Sequence, residues 1–208
     1  MKKIFKENYT WIILFLCLIS LIVLITFALI KENLILDEKG YYLVSKYLIK
    51  DNITPIAKII TFLASTYFFI GLSILLLIMI KNKKTGLSII VNLGLSALTN
   101  FIVKNIVQRP RPIDHRLISE TGFSLPSGHS MVSMAFYGYL IYLTYKYIKN
   151  KKIKISLTIF LSLLIFLVGL SRIYLGVHYI TDVLAGYLLG ISYLIIYINV
   201  INNVLKNK

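Results

Sequence analysis

The sequence contains few acidic residues, few prolines and almost no cysteine. Among its 208 residues there are eight acidic residues, four prolines and one cysteine. The single cysteine, Cys17, excludes an intrachain disulfide, so no disulfide framework stabilises the fold. No Gly/Ser-rich or Pro-rich stretch separates one part of the chain from another, and we therefore expect a single domain over residues 1–208.

Hydrophobic residues are abundant, at 58% of the chain, which is more than a soluble domain of this size buries. A helix crosses a bilayer with about 20 apolar residues, and the apolar runs show no two-residue alternation. The expected fold class is therefore all-α, a bundle of six transmembrane helices. The predicted spans are Trp11–Ile30, Ile59–Ile80, Leu87–Val103, Ser130–Tyr145, Ile155–Ser171 and Val183–Val200. No small-residue cleavage site follows the first span, so we expect it to be retained.

The formal net charge of +15 is an orientation signal. If the N-terminus is cytoplasmic, the inner segments contain thirteen lysines and one acid, Glu7, while the outer segments contain the other seven acids. Short lysine-rich loops on one side follow the positive-inside rule, which predicts a multi-pass cell-membrane protein with both termini in the cytoplasm. The inner lysines suit anionic membrane lipids. We expect no nucleic-acid binding, because no basic domain lies outside the membrane, and nothing indicates a required protein partner.

Two segments have patterns that indicate how helices lie in the membrane or against each other. Residues at about 41–50 place apolar and basic side chains on different helical faces, which fits a helix in the membrane interface or, equally, a solvated loop. Pro55 suits the first helical turn of the second span. In the last span Gly186 and Gly190 form a Gly-x-x-x-Gly pair, which we interpret as a site of close helix packing.

Polar residues at membrane depth are costly and therefore mark functional sites. They form three clusters: Lys104–Pro112, Pro126–His129 and Ser171–Asp182. With the orientation given by the lysines, all three clusters lie at the outer ends of spans. The sequence therefore predicts an active site at the extracytoplasmic membrane interface.

The clusters contain the groups needed to bind and transfer a phosphoryl group. Lys104, Arg111 and Arg172 bring three cations together, and arginine forks match phosphate oxygens. Ser127 and Gly128 stand at a helix start, where free backbone N–H groups favour an anion. We expect all five residues to bind phosphate.

His178 and Asp182 are four residues apart, so on a helix they face each other. The carboxylate would orient the imidazole and leave its other nitrogen as a nucleophile, while His129 donates a proton to the leaving oxygen. A two-metal mechanism needs several carboxylate ligands, and only Asp114 and Glu120 in the connecting loop accompany Asp182. We therefore expect neither a metal nor another cofactor. His115, Arg109 and Arg116 are interpreted as loop or surface residues, with headgroup recognition as the alternative for the two arginines.

These residues resemble the three-part signature of the type 2 phosphatidic acid phosphatase and vanadium haloperoxidase superfamily. The signature reads Lys-x6-Arg-Pro, Pro-Ser-Gly-His and Ser-Arg-x5-His-x3-Asp, and it matches without substitution within residues 104–182. The resemblance implies the same roles for His178, His129 and Asp182 and the same phosphate-binding residues. The membrane branch is indicated, similar to bacterial phosphatidylglycerophosphate and undecaprenyl pyrophosphate phosphatases.

The expected function is hydrolysis of a lipid phosphate at the outer leaflet through a phosphohistidine. A soluble phosphate ester and undecaprenyl diphosphate are alternative substrates. The alternative of another class is a non-catalytic protein that binds or transports phosphate-bearing lipids. Such a protein would need the cations but neither His129 nor the His178–Asp182 pair, so the histidines favour catalysis.

Overall fold

The computed structural model describes residues 2–30, 34–113 and 116–206, with side chains for 9–30, 34–113 and 116–204. These residues form eight α-helices and no strand, as the all-α expectation requires. The helices are α1 (Lys2–Ile30), α2 (Ile35–Leu48), α3 (Thr54–Phe62), α4 (Thr66–Met79), α5 (Lys83–Val107), α6 (Gly128–Tyr147), α7 (Lys151–Tyr174) and α8 (Ile180–Lys206).

The predicted second span, Ile59–Ile80, is not one continuous helix, so the expectation of an unbroken helix there is wrong. α3 and α4 meet at a bend of 49°, and the Ser65 side chain caps the N-terminus of α4 by accepting a hydrogen bond from the Phe68 N–H. The break releases the Leu63 carbonyl from helical pairing, and the Tyr137 hydroxyl of α6 donates to it. A freed backbone group at this depth needs such a partner. Pro55 lies in the first turn of α3, as predicted.

Length and apolarity alone support fewer spans than the six predicted. Among the described residues, four helices satisfy both criteria, namely α1, α5, α7 and α8, and the bent pair α3–α4 makes a fifth if it is counted as one span. α6 is 20 residues long but carries many polar side chains. It packs against α5, α7 and α8, so most of its surface contacts helices rather than lipid. Burial among helices removes the need for an all-apolar surface.

The segment at about 41–50 is helical up to Leu48, so the loop alternative is wrong there. The helix, α2, begins earlier than expected, at Ile35, and packs on α7 and α8. Val44 is buried against these helices, whereas Leu43 and Tyr47 are exposed. One side of α2 therefore covers the bundle and the other faces outward.

α6 and α8 approach each other closely along the predicted glycine pair. A Cβ atom at Gly186 would lie 2.8 Å from the Ser127 carbonyl oxygen, and one at Gly190 would lie 2.9 Å from that of Met131. Real Cβ atoms do not approach backbone so closely, so the pair serves packing, as interpreted. The contact fixes the start of α6 against the first half of α8.

Candidate active site

The three polar clusters meet at one end of the bundle. Lys104 lies in the last turn of α5, His129 in the first turn of α6 and Arg172 in the last turn of α7, while His178 and Asp182 flank the start of α8. Residues 108–113 and 116–127 fold over this end, where the Ser124 N–H donates to the Arg109 carbonyl and the Leu117 N–H donates to that of Leu175. The helix ends and the loop thus enclose a common site.

His178 and Asp182 form the pair that their spacing predicts. His178 Nδ1 lies 3.3 Å from Asp182 Oδ2, and the same oxygen accepts the Tyr179 N–H at 3.0 Å. His178 is only 3% exposed. Burial, and then the nearby charges of Arg172 and Arg111, lower the pKa of His178 well below its ordinary value of 6.5. The imidazole is therefore neutral at physiological pH and keeps a lone pair on Nε2.

Arg111 contacts that lone pair directly. Its Nη1 lies 3.0 Å from His178 Nε2 and donates to the Val177 carbonyl at 3.0 Å. Its Nε and Nη2 donate to the loop carbonyls of Thr121 and Gly122. These bonds hold the guanidinium plane beside His178 Nε2.

Arg172 and Glu120 form an ion pair at the same site. Arg172 is 1% exposed, and it donates to Thr61 Oγ1 at 2.7 Å and to Glu120 Oε1 at 2.5 Å. Its Nε has no hydrogen-bond partner among the described residues. Glu120 also lies 3.9 Å from Arg111 Nη2. The Glu120 carboxylate thus lies between the guanidinium groups of Arg172 and Arg111.

Lys104 and His129 complete the group of charges and imidazoles. Lys104 interacts electrostatically with Arg111, Arg172, Glu120 and Asp182. His129 interacts in the same way with Arg172, His178 and Lys104. The structure thus brings together both predicted histidines and all three predicted cations.

The turn at the start of α6 differs in one respect from the expectation. The Ser127 N–H donates to the Asp182 carbonyl at 2.9 Å, so the prediction that it is free for an anion is wrong. The Ser127 hydroxyl accepts from the Ser130 hydroxyl at 3.0 Å and caps α6. The Gly128 N–H is in the first helical turn, where no intrahelical acceptor exists. A Cβ at Gly128 would lie 3.0 Å from Asn100 Oδ1, so only glycine fits without displacing this neighbour.

Arg109 is not a surface residue, which corrects the sequence interpretation. It is 5% exposed, and it donates to Asp182 Oδ1 and to Asp37 Oδ2, both at 2.7 Å. Asp37, on α2, was not singled out at all. The chain contains only eight acids, so a buried arginine has few carboxylates to pair with, and this scarcity is the signal that could have identified both residues.

The other loop residues considered in the sequence analysis are Arg116, Asp114 and His115. Arg116 is exposed and donates to the Pro112 carbonyl, as a surface role predicts. Asp114 and His115 lie outside the described residues. Within the described part of the chain, no three His, Cys, Asp or Glu side chains form a group that could hold a metal ion. The three carboxylates near the site, Asp37, Glu120 and Asp182, are instead paired with arginines.

Comparison with known proteins places this geometry in a family. The sequence profile of the PAP2 superfamily matches residues 85–206. Phosphatidylglycerophosphatase B of Bacillus subtilis (strain 168) is 34% identical over 139 residues, which are 64% of this chain and 67% of that protein. Undecaprenyl-diphosphatase of Sulfolobus acidocaldarius is 26% identical over 196 residues, 89% of this chain and 87% of that protein.

A solved structure extends the likeness to the fold. The crystal structure of the first transmembrane PAP2 type phosphatidylglycerolphosphate phosphatase from Bacillus subtilis matches with a TM-score of 0.75 at 27% identity. The match covers 89% of this chain and 96% of that one. The profile match, the relatives and the shared fold together show that this multi-pass membrane protein belongs to the PAP2 superfamily and is a phosphoric ester hydrolase.

Proposed function

We propose that the protein removes a phosphate group from a membrane lipid of the phosphatidylglycerophosphate or phosphatidic acid type. The observation that carries this proposal is the position of His178. Its Nδ1 is held by Asp182, and its Nε2 points at Arg111, beside Arg172 and Lys104. A neutral, oriented imidazole facing a cluster of cations is suited to attack on a bound phosphoryl group.

The reaction follows from this arrangement in two steps. His178 Nε2 attacks phosphorus and forms a phosphohistidine, while His129 protonates the departing alcohol oxygen of the lipid. Water then attacks the phosphohistidine, with His129 accepting its proton, and inorganic phosphate leaves. Lys104, Arg111 and Arg172 stabilise charge on the equatorial oxygens in both steps, together with the Gly128 N–H and the Ser127 hydroxyl. Asp182 orients His178 and stabilises the cationic ring.

A cavity beside the site supports a lipid substrate. It has a volume of about 500 Å³, begins at Gly128 and His129, and extends between α4, α5 and α6. Apolar residues such as Phe69, Leu93 and Val132 line most of it. A soluble phosphate ester would have no use for an apolar cavity at this position. A lipid whose phosphate lies between the histidines could place its chain there.

The proposal includes a membrane arrangement and a metal-free mechanism. We propose six spans, with α6 as the buried fourth, both termini in the cytoplasm and the active site on the extracytoplasmic side. The lysine distribution supports this orientation. Because the carboxylates near the site are already paired with guanidinium groups, the residues present favour stabilisation of phosphate by cations over binding of a divalent metal.

A second substrate has its own support. The relative from Sulfolobus acidocaldarius is an undecaprenyl-diphosphatase and aligns with 89% of this chain. An isoprenoid diphosphate would present the same terminal phosphoryl group to His178. Measuring turnover of phosphatidylglycerophosphate, phosphatidic acid, undecaprenyl diphosphate and a soluble phosphate ester at equal concentration in detergent would separate these substrates.

The experiment that tests the chemistry is phosphate release by the purified protein and its His178→Ala variant, with and without excess chelator. We expect turnover that chelation does not reduce, and a loss of at least about 10⁴-fold in the variant, since it removes the nucleophile. Unchanged turnover of His178→Ala would refute the phosphohistidine. Loss of activity on chelation would refute the metal-free mechanism. A purely binding protein would show no turnover at all.

A further inference from the structure

A buried ion-pair network lies directly behind His178 and Asp182, on the side away from the phosphate-binding cations. Arg109 Nη1 donates to Asp182 Oδ1 at 2.7 Å, and Arg109 Nη2 donates to Asp37 Oδ2 at 2.7 Å. Asp182 is 0% exposed, Asp37 4% and Arg109 5%. Burial of three charges is costly unless they compensate one another, so their arrangement calls for a physical reason.

Asp37 joins α2 to the beginning of α8. It accepts the Thr181 N–H at 3.0 Å and the Thr181 hydroxyl at 2.8 Å. The fit of α2 is tight here, because a Cβ at Gly40 would lie 3.1 Å from Ile180. The Arg109 guanidinium also lies 4.1 Å from the centre of the Tyr179 ring. Backbone, side chains and an aromatic ring thus fix the Arg109–Asp37 pair in one position.

Arg109 determines the rotation of the Asp182 carboxylate. Oδ1 is held by Arg109, which leaves Oδ2 to accept from the Tyr179 N–H and to face His178 Nδ1. Without Arg109, the Asp182 carboxylate would keep hydrogen bonds on Oδ2 only. Its rotation, and therefore the tautomer and direction of the imidazole, would then be less well defined.

Asp37 supplies a charge that Asp182 needs. Arg109 and Asp182 alone would be a neutral pair, which would stabilise a positively charged imidazole poorly. With Asp37 the trio carries one net negative charge. On its other side, His178 faces Lys104, Arg111 and Arg172, opposed by Glu120 alone.

We propose that Arg109 and Asp37 are positioning residues for phosphoryl transfer: Arg109 orients Asp182 toward His178, and Asp37 keeps the trio anionic so that it stabilises the cationic ring of the phosphohistidine. This inference rests on the proposed role of His178. Neither residue is part of the three-part signature, and Asp37 lies outside the segment that matches the PAP2 profile. The α2 helix is then a functional component of the site rather than a cover over it.

The test compares pH profiles of kcat/KM and values of kcat and KM for Asp37→Asn, Arg109→Lys and the double variant Asp37→Asn/Arg109→Gln. Asp37→Asn removes the net charge, so we expect kcat to fall about 10- to 100-fold, the range seen for residues that support a reacting group, with KM little changed. The acid limb of kcat/KM should move to lower pH, since protonated His178 is then less well stabilised. Arg109→Lys keeps the charge, so its kcat should fall without movement of the limb.

The double variant restores one net negative charge, and its acid limb should return toward that of the parent. A merely structural role predicts additive losses and an unmoved limb. Tyr174→Phe is the matched control. It removes the hydrogen bonds of another buried side chain, from the Tyr174 hydroxyl to Thr54 and to the Lys50 carbonyl, and neither bond involves Asp182. It should lower thermal stability in detergent without moving the limb.

The outcomes separate this inference from the proposed function. If His178→Ala is inactive and Asp37→Asn has both an unmoved limb and an unchanged kcat, the positioning role is wrong while the mechanism stands. If His178→Ala retains full turnover, the proposed mechanism itself is wrong. Should Asp37→Asn fail to fold, Arg109→Lys decides the matter: a fall in kcat at constant KM supports the role, and unaltered kinetics overturn it.

Discussion

Arg109 and Arg111 are separated by one proline, and both are buried, yet they belong to different environments. Arg109 is fully compensated by two carboxylates of the protein at 2.7 Å. Arg111 is held mainly by neutral backbone carbonyls, and among the described residues its nearest carboxylate is that of Glu120, at 3.9 Å. Burial alone would lower the pKa of Arg109, but Asp182 and Asp37 raise it above its ordinary value. Burial is therefore common to both arginines, and what distinguishes Arg111, the arginine proposed to bind the substrate phosphate, is its incompletely compensated charge.

Among the variants that test this comparison, the largest expected effect follows from removing the incompletely compensated arginine, Arg111. Arg111→Ala should lower kcat/KM by about 10²- to 10³-fold, because the transition state loses a guanidinium and the imidazole loses its neighbour. Arg111→Lys should recover only part of this loss, since an ammonium cannot bridge the loop carbonyls and the phosphate as a fork does. Steady-state kinetics on a lipid phosphate measure both. Equal activity of Arg111→Lys and the parent would contradict the geometry.

A second prediction concerns the α6–α8 contact, which lies one helical turn beyond Asp182, the carboxylate that binds Arg109. Gly186→Ala should destabilise the protein by about 1–3 kcal/mol, because the added methyl meets the Ser127 carbonyl at 2.8 Å. Thermal unfolding in detergent would measure the loss. Gly94→Ala is the control, since a Cβ there has no neighbour within 4 Å, and its melting temperature should be unchanged or slightly higher.

The third prediction concerns Glu120, the carboxylate that compensates Arg172 and partly Arg111. Burial alone would raise its pKa, but Arg172 and Arg111 hold it below its ordinary value, so it remains a competing anion at neutral pH. Glu120→Gln should therefore strengthen inhibition by inorganic phosphate about 3- to 10-fold. Titration of inhibition at pH 7 measures the effect. An unaltered or weaker inhibition would mean that Glu120 does not compete for the anion site.

The smallest expected effect is a displacement along the pH axis. Because the pKa of His178 is lowered in the folded protein, activity should persist on acidification through the ordinary histidine range and decline only below 6.5. The sign follows from the protonated ring having no lone pair on Nε2. The acid limb of kcat/KM reports the free enzyme and is the appropriate measurement. A limb at or above 6.5 would contradict the environment described for His178.

The sequence predicts the motif residues better than it predicts the bend and the ion pair that surround them. Lys104, His129 and His178 lie at ends of long apolar segments, so span counting is enough to bring them to one side. The bend after Phe62 was missed because Leu63–Ser65 contains neither proline nor glycine and leaves the hydropathy unchanged. The Arg109–Asp37 pair was missed because its members are far apart in the chain and α2 has no signature. Such a contact is determined by tertiary packing, which one sequence does not display.

The close packing of α6 on α8 has a consequence for how the protein responds to its bilayer. His129 lies in the first turn of α6, His178 lies two residues before the start of α8, and the Gly186 contact lies one turn beyond Asp182. A thinner or thicker bilayer changes the tilt of helices that slide past one another, but two helices in backbone contact tilt as a unit. We therefore expect the separation of the two histidines to be insensitive to lipid chain length. We expect adaptation to the membrane to fall to the bent pair α3–α4, on the other side of the cavity that begins at His129.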